Sequence, residues 1–317
     1  MTYTIGFAHP AYQFAAIMAQ RAPHLRCLHF ANRDELAAGI GEVDALAQSS
    51  VFWDNGLLER AHKLRFIQSL SVGVNHFDLA ALRARGIRLA NAQGCVDIAV
   101  AEHAIGLMLT LTRQLHLARD NQARHHFRPM TREPKARETE LFGKTLLVIG
   151  FGPIGQRLAG LARAFGMQVL AVRGRPEQGG PADEVHGQMA LPDLLPRADF
   201  VVLACPLTPQ TEGMINAAAF AQMKPAAVLV NVARGRVVDE PALVAALEAR
   251  RIAGAGLDCF WREPLPVDSP LWDFENVIIT PHSAGETDKY EGRLADILLD
   301  NVARMVGGER ELRNGIA

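Results

Sequence analysis

The sequence predicts an α/β protein made of two domains with parallel sheets. The chain has 317 residues, which at roughly 150 residues per domain suggests two domains. Hydrophobic residues make up 49% and charged residues 21%, a balance that argues against a disordered chain. Short apolar runs alternate with helix-like runs along most of the sequence, which is the rhythm of βα units.

Five short apolar runs predict strands in the first third of the chain. The spacing between them suits helices at residues 11–21 and 78–85. Because strands joined by crossover helices are parallel, these units predict one parallel sheet. The five runs cover residues 3–8, 25–30, 43–47, 66–70 and 87–90.

The middle of the chain predicts a long helix followed by an exposed segment. The helix begins near Asp97, whose side chain can cap it, and continues to residue 119. Glu102 and Arg113 interrupt its apolar run, which is typical of a buried helix rather than of a membrane span. Residues 120–140 are polar and rich in Arg and His, so this segment suits either a solvated linker or a contact arm in an oligomer.

A second series of βα units begins at Lys144. Its strand runs are rich in Val, Leu and Ala with little alternation, as expected for strands that are covered on both faces. The last stretch, residues 286–307, has the apolar spacing of a helix. The strand runs are TLLVIG, QVLAV, DFVVLAC, AAVLVNV, AGAGLD and NVIIT.

A glycine-rich loop connects the first strand of this series to a helix. The loop contains Gly150, Gly152, Pro153, Ile154 and Gly155. In a dinucleotide site of this pattern the first glycine permits a tight turn, the second lets the backbone approach a pyrophosphate, and the third lets helix and strand pack closely. The N–H groups at the start of the helix then attract the phosphates.

The sequence allows two other interpretations of this loop. A loop that binds a nucleoside triphosphate shares the spacing of Gly150 and Gly155, but it requires Lys and then Ser or Thr next. Gln156 and Arg157 follow instead, which argues against that site. A glycine turn without any ligand is the remaining alternative.

The strand after the glycine loop ends in arginines. An NAD site usually has an acidic residue about 20 residues after the glycines, where it accepts hydrogen bonds from the ribose hydroxyls. Here Arg173 and Arg175 occupy this place and no acid is present. Because a guanidinium can pair with a 2′-phosphate, the sequence predicts a preference for NADP(H), with NAD(H) possible. Alternatively, the two arginines lie over the adenine without discriminating between the cofactors.

Six further motifs follow one another along the chain. They are SVGVN (71–75), VAE (100–102), CPLT (205–208), NVARG (231–235), DCFWREP (258–264) and PHSAG (281–285). With these motifs and the glycine loop, the sequence resembles the D-isomer-specific 2-hydroxyacid dehydrogenase family over nearly its whole length. The resemblance implies two Rossmann-like or flavodoxin-like domains: a substrate domain of residues 1–97 and 287–317, and a dinucleotide-binding domain of residues 98–286 inserted into it. It also implies a homodimer, because most members are dimers that make contact through an arm of the cofactor domain.

Three residues of these motifs are the candidate catalytic group. The resemblance implies that Arg234 binds the substrate's carboxylate and carbonyl, that His282 is the acid/base, and that Glu263 is its partner. The chemistry of these residue types agrees, because a protonated imidazole can deliver a proton to a carbonyl oxygen that receives negative charge. A carboxylate beside it favours the charged imidazolium, and a guanidinium matches a planar carboxylate. Glu263 alone is also compatible with an ordinary loop carboxylate.

The remaining candidate residues bind substrate or cofactor. Val72 and Gly73 are expected to hold the substrate's carboxylate with backbone N–H groups, although an ordinary strand-to-helix turn is the alternative. The resemblance implies that Asp258 and the backbone near Ser283 hold the nicotinamide carboxamide, with Ala284 among the cofactor contacts; Asp258 could otherwise cap a turn. Other cofactor contacts are expected at Cys205, Pro206, Thr208, Val232, Ala233 and His282.

Net charge and cysteine content limit the kinds of partner that the protein can bind and indicate its cellular compartment. The net charge is −1, from 33 basic and 34 acidic residues. The chain therefore lacks the overall positive charge of proteins that bind nucleic acids or membrane surfaces. Four cysteines without C-x-x-C spacing are expected to be reduced in a cytoplasmic protein, and the N-terminus does not resemble a signal peptide. The adjacent His125 and His126 do not form a helix-face ligand pair, so we expect no metal site.

The favoured function is an NADPH-dependent reductase of small 2-keto acids, with glyoxylate or hydroxypyruvate as substrate. One alternative is a family member that oxidises formate or a phosphorus oxyanion. Glu263 argues against formate, because relatives with that activity carry Gln there. A second alternative is a dinucleotide-sensing binding protein, which can retain all three active-site residues. Only a few residues follow the last predicted helix, so no appended regulatory domain is expected.

Overall fold

The computed structural model describes residues 3–49, 51–74, 76–134 and 137–316. The chain divides into two compact units. Unit 1 contains Met1–Val96 and Thr287–Ala317, and unit 2 contains Asp97–Glu286. Each unit is built on a parallel sheet, and unit 2 is inserted into the chain of unit 1, which confirms the predicted fold class.

Unit 1 has a sheet of five parallel strands in the order β2-β1-β3-β4-β5, the flavodoxin-like order. Strands β1, β3 and β4 are buried on both faces, which explains the weak alternation of apolar and polar residues in their sequences, whereas the edge strand β2 is partly exposed. The strands are β1 Thr4–Ala8, β2 Arg26–Phe30, β3 Ala45–Gln48, β4 Phe66–Ser69 and β5 Arg88–Ala90. The helices are α1 Ala15–Arg21, α2 Arg33–Gly39, α3 Leu79–Ala84 and α10 Tyr290–Val306.

The two faces of this sheet carry separate apolar cores. On one face, Phe7 and Phe66 pack with Tyr290 and Leu294 of α10. The other face includes Leu46 and is covered from α2, α3 and the connection between β3 and β4. The C-terminal segment of the chain therefore completes the core that its first ninety or so residues begin.

Unit 2 has a sheet of seven parallel strands in the order β12-β11-β10-β9-β6-β7-β8. The order reverses between β6 and β9, and ligands of open α/β sheets bind at such a switch point, beyond the carboxyl ends of the strands. The strands are β6 Thr145–Ile149, β7 Gln168–Val172, β8 Glu184–His186, β9 Phe200–Leu203, β10 Val228–Asn231, β11 Gly254–Leu257 and β12 Val277–Ile279. The helices are α4 Asp97–Thr112, α5 Leu115–Ala123, α6 Pro153–Ala164, α7 Leu191–Leu194, α8 Ala217–Gln222 and α9 Glu240–Glu248.

The prediction of one continuous helix to residue 119 is wrong. The structure has two helices, α4 and α5, because Gln114 adopts a left-handed conformation with φ of 50°. No glycine or proline marks this break, so composition gives no warning of it. The segment predicted as a loop also begins with helix, since α5 continues to Ala123.

Two helix boundaries and one strand also differ from the sequence prediction. The first helix begins at Ala15, because the Nδ1 atom of His9 accepts hydrogen bonds from the N–H groups of Ala11 (3.0 Å) and Tyr12 (2.8 Å) and fixes a turn there. The polar edge strand β8 was not predicted. The last helix begins at Tyr290 rather than at residue 286. No described helix is long and apolar enough to span a membrane.

Candidate active site

The glycine loop of unit 2 joins β6 to α6 at the switch point of the sheet. Gly150 has φ of 100°, and a Cβ atom there would lie 2.4 Å from the backbone nitrogen of Cys205. At Gly155 a Cβ atom would lie 2.3 Å from the carbonyl oxygen of Gly150. Backbone therefore meets backbone at both positions, which only glycine allows.

Gly152 differs from its two neighbours in the motif. A Cβ atom at this position would meet nothing within 4 Å, and its φ of −80° is open to any residue. It precedes Pro153 at the start of α6, a helix whose N-terminus has no side-chain cap. The free N–H groups of this first turn, including those of Ile154 and Gly155, suit an anion such as a pyrophosphate. The open space and the uncapped helix fit a dinucleotide.

The two arginines after β7 are arranged differently from each other. The guanidinium of Arg173 donates to the carbonyl oxygen of Gly179 (2.9 Å) and to the Oε1 atom of Gln178. Arg175 is exposed, and its guanidinium has no hydrogen-bond partner among the described residues. Arg173 thus ties down the following loop, whereas Arg175 is available to a ligand.

The segment after β9 lies beside the glycine loop. Cys205 is buried, and burial raises the pKa of its thiol to about 11. The Oγ1 atom of Thr211 accepts from the N–H of Thr208 (2.8 Å) and donates to the carbonyl of Pro206 (2.7 Å), which closes a turn. Because burial also raises the pKa of Cys259, neither thiol is ionised near neutral pH.

The loop after β10 presents Arg234. The buried side chain of Asn231 accepts from the N–H of Ala233 (3.0 Å) and donates to the carbonyl of Arg234 (3.1 Å), which fixes the turn. Val232 adds a backbone hydrogen bond to Leu203 of β9 (3.3 Å). The guanidinium of Arg234 donates to the carbonyl of Ala233 (2.7 Å) and is half-buried, with donors left for a further partner.

Gly235 brings this loop against the loop after β11. A Cβ atom at Gly235 would lie 1.9 Å from the carbonyl carbon of Phe260. Any side chain there would push the two loops apart. Gly235 therefore helps to bring Arg234 close to the segment that carries Glu263.

Glu263 and His282 form the central pair of the site. The Nδ1 atom of His282 lies 2.8 Å from the Oε2 atom of Glu263, and the Oε1 atom of the same carboxylate accepts from the N–H of Phe260 (2.9 Å). His282 has a left-handed backbone with φ of 57°. Its Nε2 atom makes no hydrogen bond to a described residue, so this nitrogen is free to face a substrate.

The charges of this pair reinforce each other. The hydrogen bond that His282 donates to Glu263 raises the pKa of the imidazole above its ordinary value, although burial and the charge of Arg234 oppose the rise. Burial works against ionisation of Glu263, but the hydrogen bonds from His282 and from the N–H of Phe260 outweigh it and lower the pKa of the carboxyl. The pair therefore favours an imidazolium beside a carboxylate.

Asp258 holds the loop that carries His282. Its Oδ1 atom accepts from the hydroxyl of Thr280 (2.6 Å) and from the N–H of Ser283 (2.9 Å). Its Oδ2 atom accepts from the N–H of Ala284 (3.0 Å). Asp258 is 2% exposed, so its carboxylate is a fixed anchor for this loop.

The Val72–Gly73 loop belongs to unit 1 and follows β4. Neither residue donates a backbone hydrogen bond to any described residue, and both are half-buried. Asn75 of the same motif lies outside the described residues. The loop has free donors of the kind that bind a carboxylate.

Comparison with known proteins gives the family to which this site belongs. A family model described as the NAD binding domain of D-isomer specific 2-hydroxyacid dehydrogenase matches residues 105–284. The chain belongs to this family. This result confirms the predicted resemblance, and the matched range lies within unit 2.

Two relatives and one solved structure show how similar the chain is to known members of the family. D-3-phosphoglycerate dehydrogenase of Mycobacterium tuberculosis is 37% identical over 279 residues, which cover 88% of this chain but 52% of that protein, so the chain spans about half its length. Glyoxylate/hydroxypyruvate reductase B of Citrobacter koseri is 37% identical over 284 residues, with coverage of 88% and 86%. The solved structure of a D-isomer specific 2-hydroxyacid dehydrogenase family protein from Aeromonas salmonicida matches with a TM-score of 0.87 and 33% identity, covering 100% of this chain and 99% of that one.

Several supporting residues were missed at the sequence level. Asn231 and Gly235 belong to the NVARG motif, but the sequence alone assigns neither of them a function. Thr280 directly precedes the PHSAG motif. An Asn at the end of a buried strand, followed by Gly four residues later, is a turn signal that could have indicated the first two. The described residues contain no cluster of His, Cys, Asp and Glu able to hold a metal ion.

Proposed function

We propose that this protein is an oxidoreductase that reduces small 2-keto acids to D-2-hydroxy acids with a nicotinamide dinucleotide. The observation that carries the proposal is the 2.8 Å contact between His282 and Glu263, beside the charge of Arg234. A bound nicotinamide dinucleotide supplies the hydride, which adds to the carbonyl carbon. The other steps belong to the protein's own side chains.

His282 is the proton donor in this proposal. Glu263 holds the Nδ1 atom, so the proton that reaches the substrate comes from Nε2. Negative charge develops on the carbonyl oxygen as hydride reaches the carbon, and the imidazolium neutralises it by proton transfer. Asp258 supports this step, because it fixes the backbone of Ser283 and Ala284 next to His282. We also propose that Asp258 and the Ala284 backbone contact the nicotinamide carboxamide.

The substrate's carboxylate is assigned to Arg234 and to the N–H groups of Val72 and Gly73. Arg234 retains free donors in a planar fork, which matches a carboxylate and polarises the adjacent carbonyl. Val72 and Gly73 provide two backbone donors without described partners. These contacts select an oxo acid over a simple ketone or aldehyde.

The cofactor is proposed to be NADP(H) in preference to NAD(H). The pyrophosphate would lie over Gly152 and the N-terminus of α6, next to the turn of residues 205–208 and the backbone of Val232 and Ala233. Residues 173–176, directly after β7, include no carboxylate, and Arg175 is exposed and unpaired among the described residues. An unpaired guanidinium suits a 2′-phosphate, which an acidic residue would repel.

Glyoxylate or hydroxypyruvate is the proposed substrate. The Citrobacter koseri relative named for these two substrates aligns over 86% of its length. We further infer that unit 1 carries substrate-binding residues and that unit 2 binds the dinucleotide. The protein is proposed to be a cytoplasmic homodimer, with the exposed Phe127 and Met130 in the contact surface, since they are 100% and 93% exposed.

A panel of 2-keto acids, each assayed with NADPH and with NADH, tests this function. Glyoxylate, hydroxypyruvate, pyruvate and 3-phosphohydroxypyruvate are the informative members. The proposal expects the highest kcat/KM for glyoxylate or hydroxypyruvate with NADPH. A preference for the phosphorylated acid would change the substrate assignment, whereas cofactor binding without any turnover would indicate a sensor.

A further inference from the structure

The loop after β4 has three consecutive carbonyl groups that are each fixed by a hydrogen bond. The carbonyl of Ser71 accepts from the N–H of Ala92 (3.1 Å). The carbonyl of Val72 accepts from the Nδ2 atom of Asn91 (3.0 Å), and that of Gly73 accepts from the hydroxyl of Ser71 (2.7 Å). Three consecutive peptide groups of the loop are therefore each held at the carbonyl.

This arrangement sets the direction of the loop's N–H groups. In a planar trans peptide, the C=O of one residue and the N–H of the next point in opposite directions. Fixing the carbonyls of residues 71–73 therefore also fixes the directions of the N–H groups of Val72, Gly73 and Val74, each of which points away from the carbonyl of its own peptide. None of these three N–H groups donates to a residue that the structure describes.

Asn91 is itself held rigidly. It is 7% exposed, and its Oδ1 atom accepts from the N–H of Gln93 (3.1 Å), which leaves Nδ2 aimed at Val72. Its backbone donates to the carbonyl of Asn314 (3.1 Å) and accepts from the Nε2 atom of Gln68 (2.9 Å). Both the backbone and the amide plane of Asn91 are thus defined by neighbours.

Gln68 belongs to a fully buried amide pair. The Nδ2 atom of Asn301 donates to Oε1 of Gln68 (3.1 Å) and to the carbonyl of Arg313 (3.0 Å), while its Oδ1 atom accepts from the N–H of Arg313 (2.8 Å). Both side chains are 0% exposed. Burying amides in an apolar core is costly unless they are hydrogen-bonded, and this pair is well satisfied. The pair links α10 and the C-terminal segment to Asn91.

We propose that Asn91 is a positioning residue for the substrate's carboxylate, and that Ser71 assists it. This inference rests on the proposed binding of the carboxylate by Val72 and Gly73. Asn91 does not contact the substrate. It fixes the peptide between Val72 and Gly73, so that the N–H of Gly73 points at the ligand before the ligand arrives.

The variant Asn91→Asp tests this role with a minimal change in shape. It keeps the oxygen that accepts from Gln93 but replaces the Nδ2 donor with an oxygen that repels the carbonyl of Val72. The expected result is an increase of about tenfold in KM for the keto acid, the order expected when a binding group is displaced by a fraction of an ångström. The melting temperature should fall, because a buried carboxylate then faces a carbonyl, whereas the Kd of the folded variant for the dinucleotide should stay close to wild type.

Asn216→Asp is the matched control. Asn216 is exposed at the N-terminus of α8 in unit 2 and lies outside this network. Its Oδ1 atom accepts from the N–H of Ala219 (3.1 Å), and an Asp side chain supplies the same acceptor. This control should leave KM unchanged. Ser71→Ala provides a second test, with a rise in KM of a few-fold, if Asn91→Asp does not fold.

Calorimetric binding of oxamate, a non-reacting carboxylate analogue, separates this inference from the proposed function. If the wild type binds oxamate, and Asn91→Asp binds it about tenfold more weakly, the positioning role stands even when no keto acid is reduced. If the wild type reduces keto acids but both variants match it in KM and oxamate affinity, the role is refuted alone. A wild type that neither binds oxamate nor reduces any keto acid overturns both proposals, and an equal loss in Asn216→Asp overturns the specific role of Asn91.

Discussion

The Nδ1 atom of His282 lies 2.8 Å from the Oε2 atom of Glu263, and the other oxygen of that carboxylate accepts from the N–H of Phe260. The carboxylate is thus fixed at one end by backbone and orients the imidazole with the other. One contact has two effects, because it sets which nitrogen of His282 faces outwards and it raises the pKa of the ring.

The pH dependence of keto acid reduction should report this contact. The protonated form of His282 is the donor, so kcat/KM should be constant at low pH and fall as the pH rises through the raised pKa. In Glu263→Gln the cause of the upward shift is lost while burial remains, so the fall should move to lower pH. Steady-state pH profiles of both proteins measure the shift, and the exposed Glu248→Gln on α9 is the control that should not move it. An unchanged profile in Glu263→Gln would contradict the pairing.

Removal of the His282 side chain should affect the chemical step. His282→Asn is the suitable variant, because Asn adopts the left-handed backbone that φ of 57° requires. We expect kcat to fall by about 10²-fold or more, the scale of general acid catalysis. Single-turnover kinetics measure the loss, with circular dichroism as the check on folding. A rate near that of wild type would remove His282 from the mechanism.

Substitution of Gly152 and of Gly155 in the dinucleotide loop should have opposite effects on stability and on cofactor binding. Gly152→Ala places a methyl group in open space, so the protein should fold normally but bind the dinucleotide more weakly. Gly155→Ala places it 2.3 Å from the carbonyl oxygen of Gly150, and overpacking of this kind costs about 1–3 kcal/mol or more. Thermal melts and cofactor titrations of both variants separate the effects. A destabilised Gly152→Ala protein with unchanged cofactor affinity would be inconsistent with these roles.

The arginines after β7 should differ in their effect on the two cofactors. Arg175→Ala should raise the Kd for NADPH by about tenfold or more, since a hydrogen bond to a charged group is lost, and change the Kd for NADH little. Arg173→Ala should weaken both cofactors modestly, because Arg173 ties the loop at Gly179. Fluorescence titrations of the single and double variants with each cofactor measure this. Equal losses for NADPH and NADH in the double variant would refute the 2′-phosphate assignment.

Arg234 should not be replaceable by lysine. Arg234→Lys keeps the charge but loses the fork, so kcat/KM for the keto acid should fall steeply while the Kd for the dinucleotide changes less. Arg250→Lys at the end of α9 is an exposed control that should retain normal kinetics. A near-normal kcat/KM in Arg234→Lys would argue against bidentate binding of the carboxylate.

Features that depend on neighbouring residues in the sequence could be predicted, whereas features that depend on distant contacts or on one unusual backbone conformation could not. Strands covered on both faces and the glycine loop leave local patterns, and the five strands of unit 1 have no end displaced by more than two residues from prediction. The break at Gln114 had no local signal, because it depends on one residue in an unusual conformation.

Long-range contacts explain why the supporting residues of the site were missed. Thr280 donates to Asp258 across 22 residues of sequence, and Asn91 acts on Val72 across 19 residues. Hydrophobic periodicity says nothing about which carbonyl a buried amide will reach. The charged residues at the ends of strands could be predicted, whereas the network that orients them could not.

Transfer of deuterium from labelled NADPH tests the central claim most directly. The wild type is incubated with glyoxylate or hydroxypyruvate and NADPH that carries deuterium at the transferable C4 position, and the product is examined by mass spectrometry. The account predicts a 2-hydroxy acid with deuterium at the carbon that was the carbonyl, and a strong loss of this product in His282→Asn. A wild type that binds NADPH but yields no deuterated hydroxy acid from any 2-keto acid would contradict it.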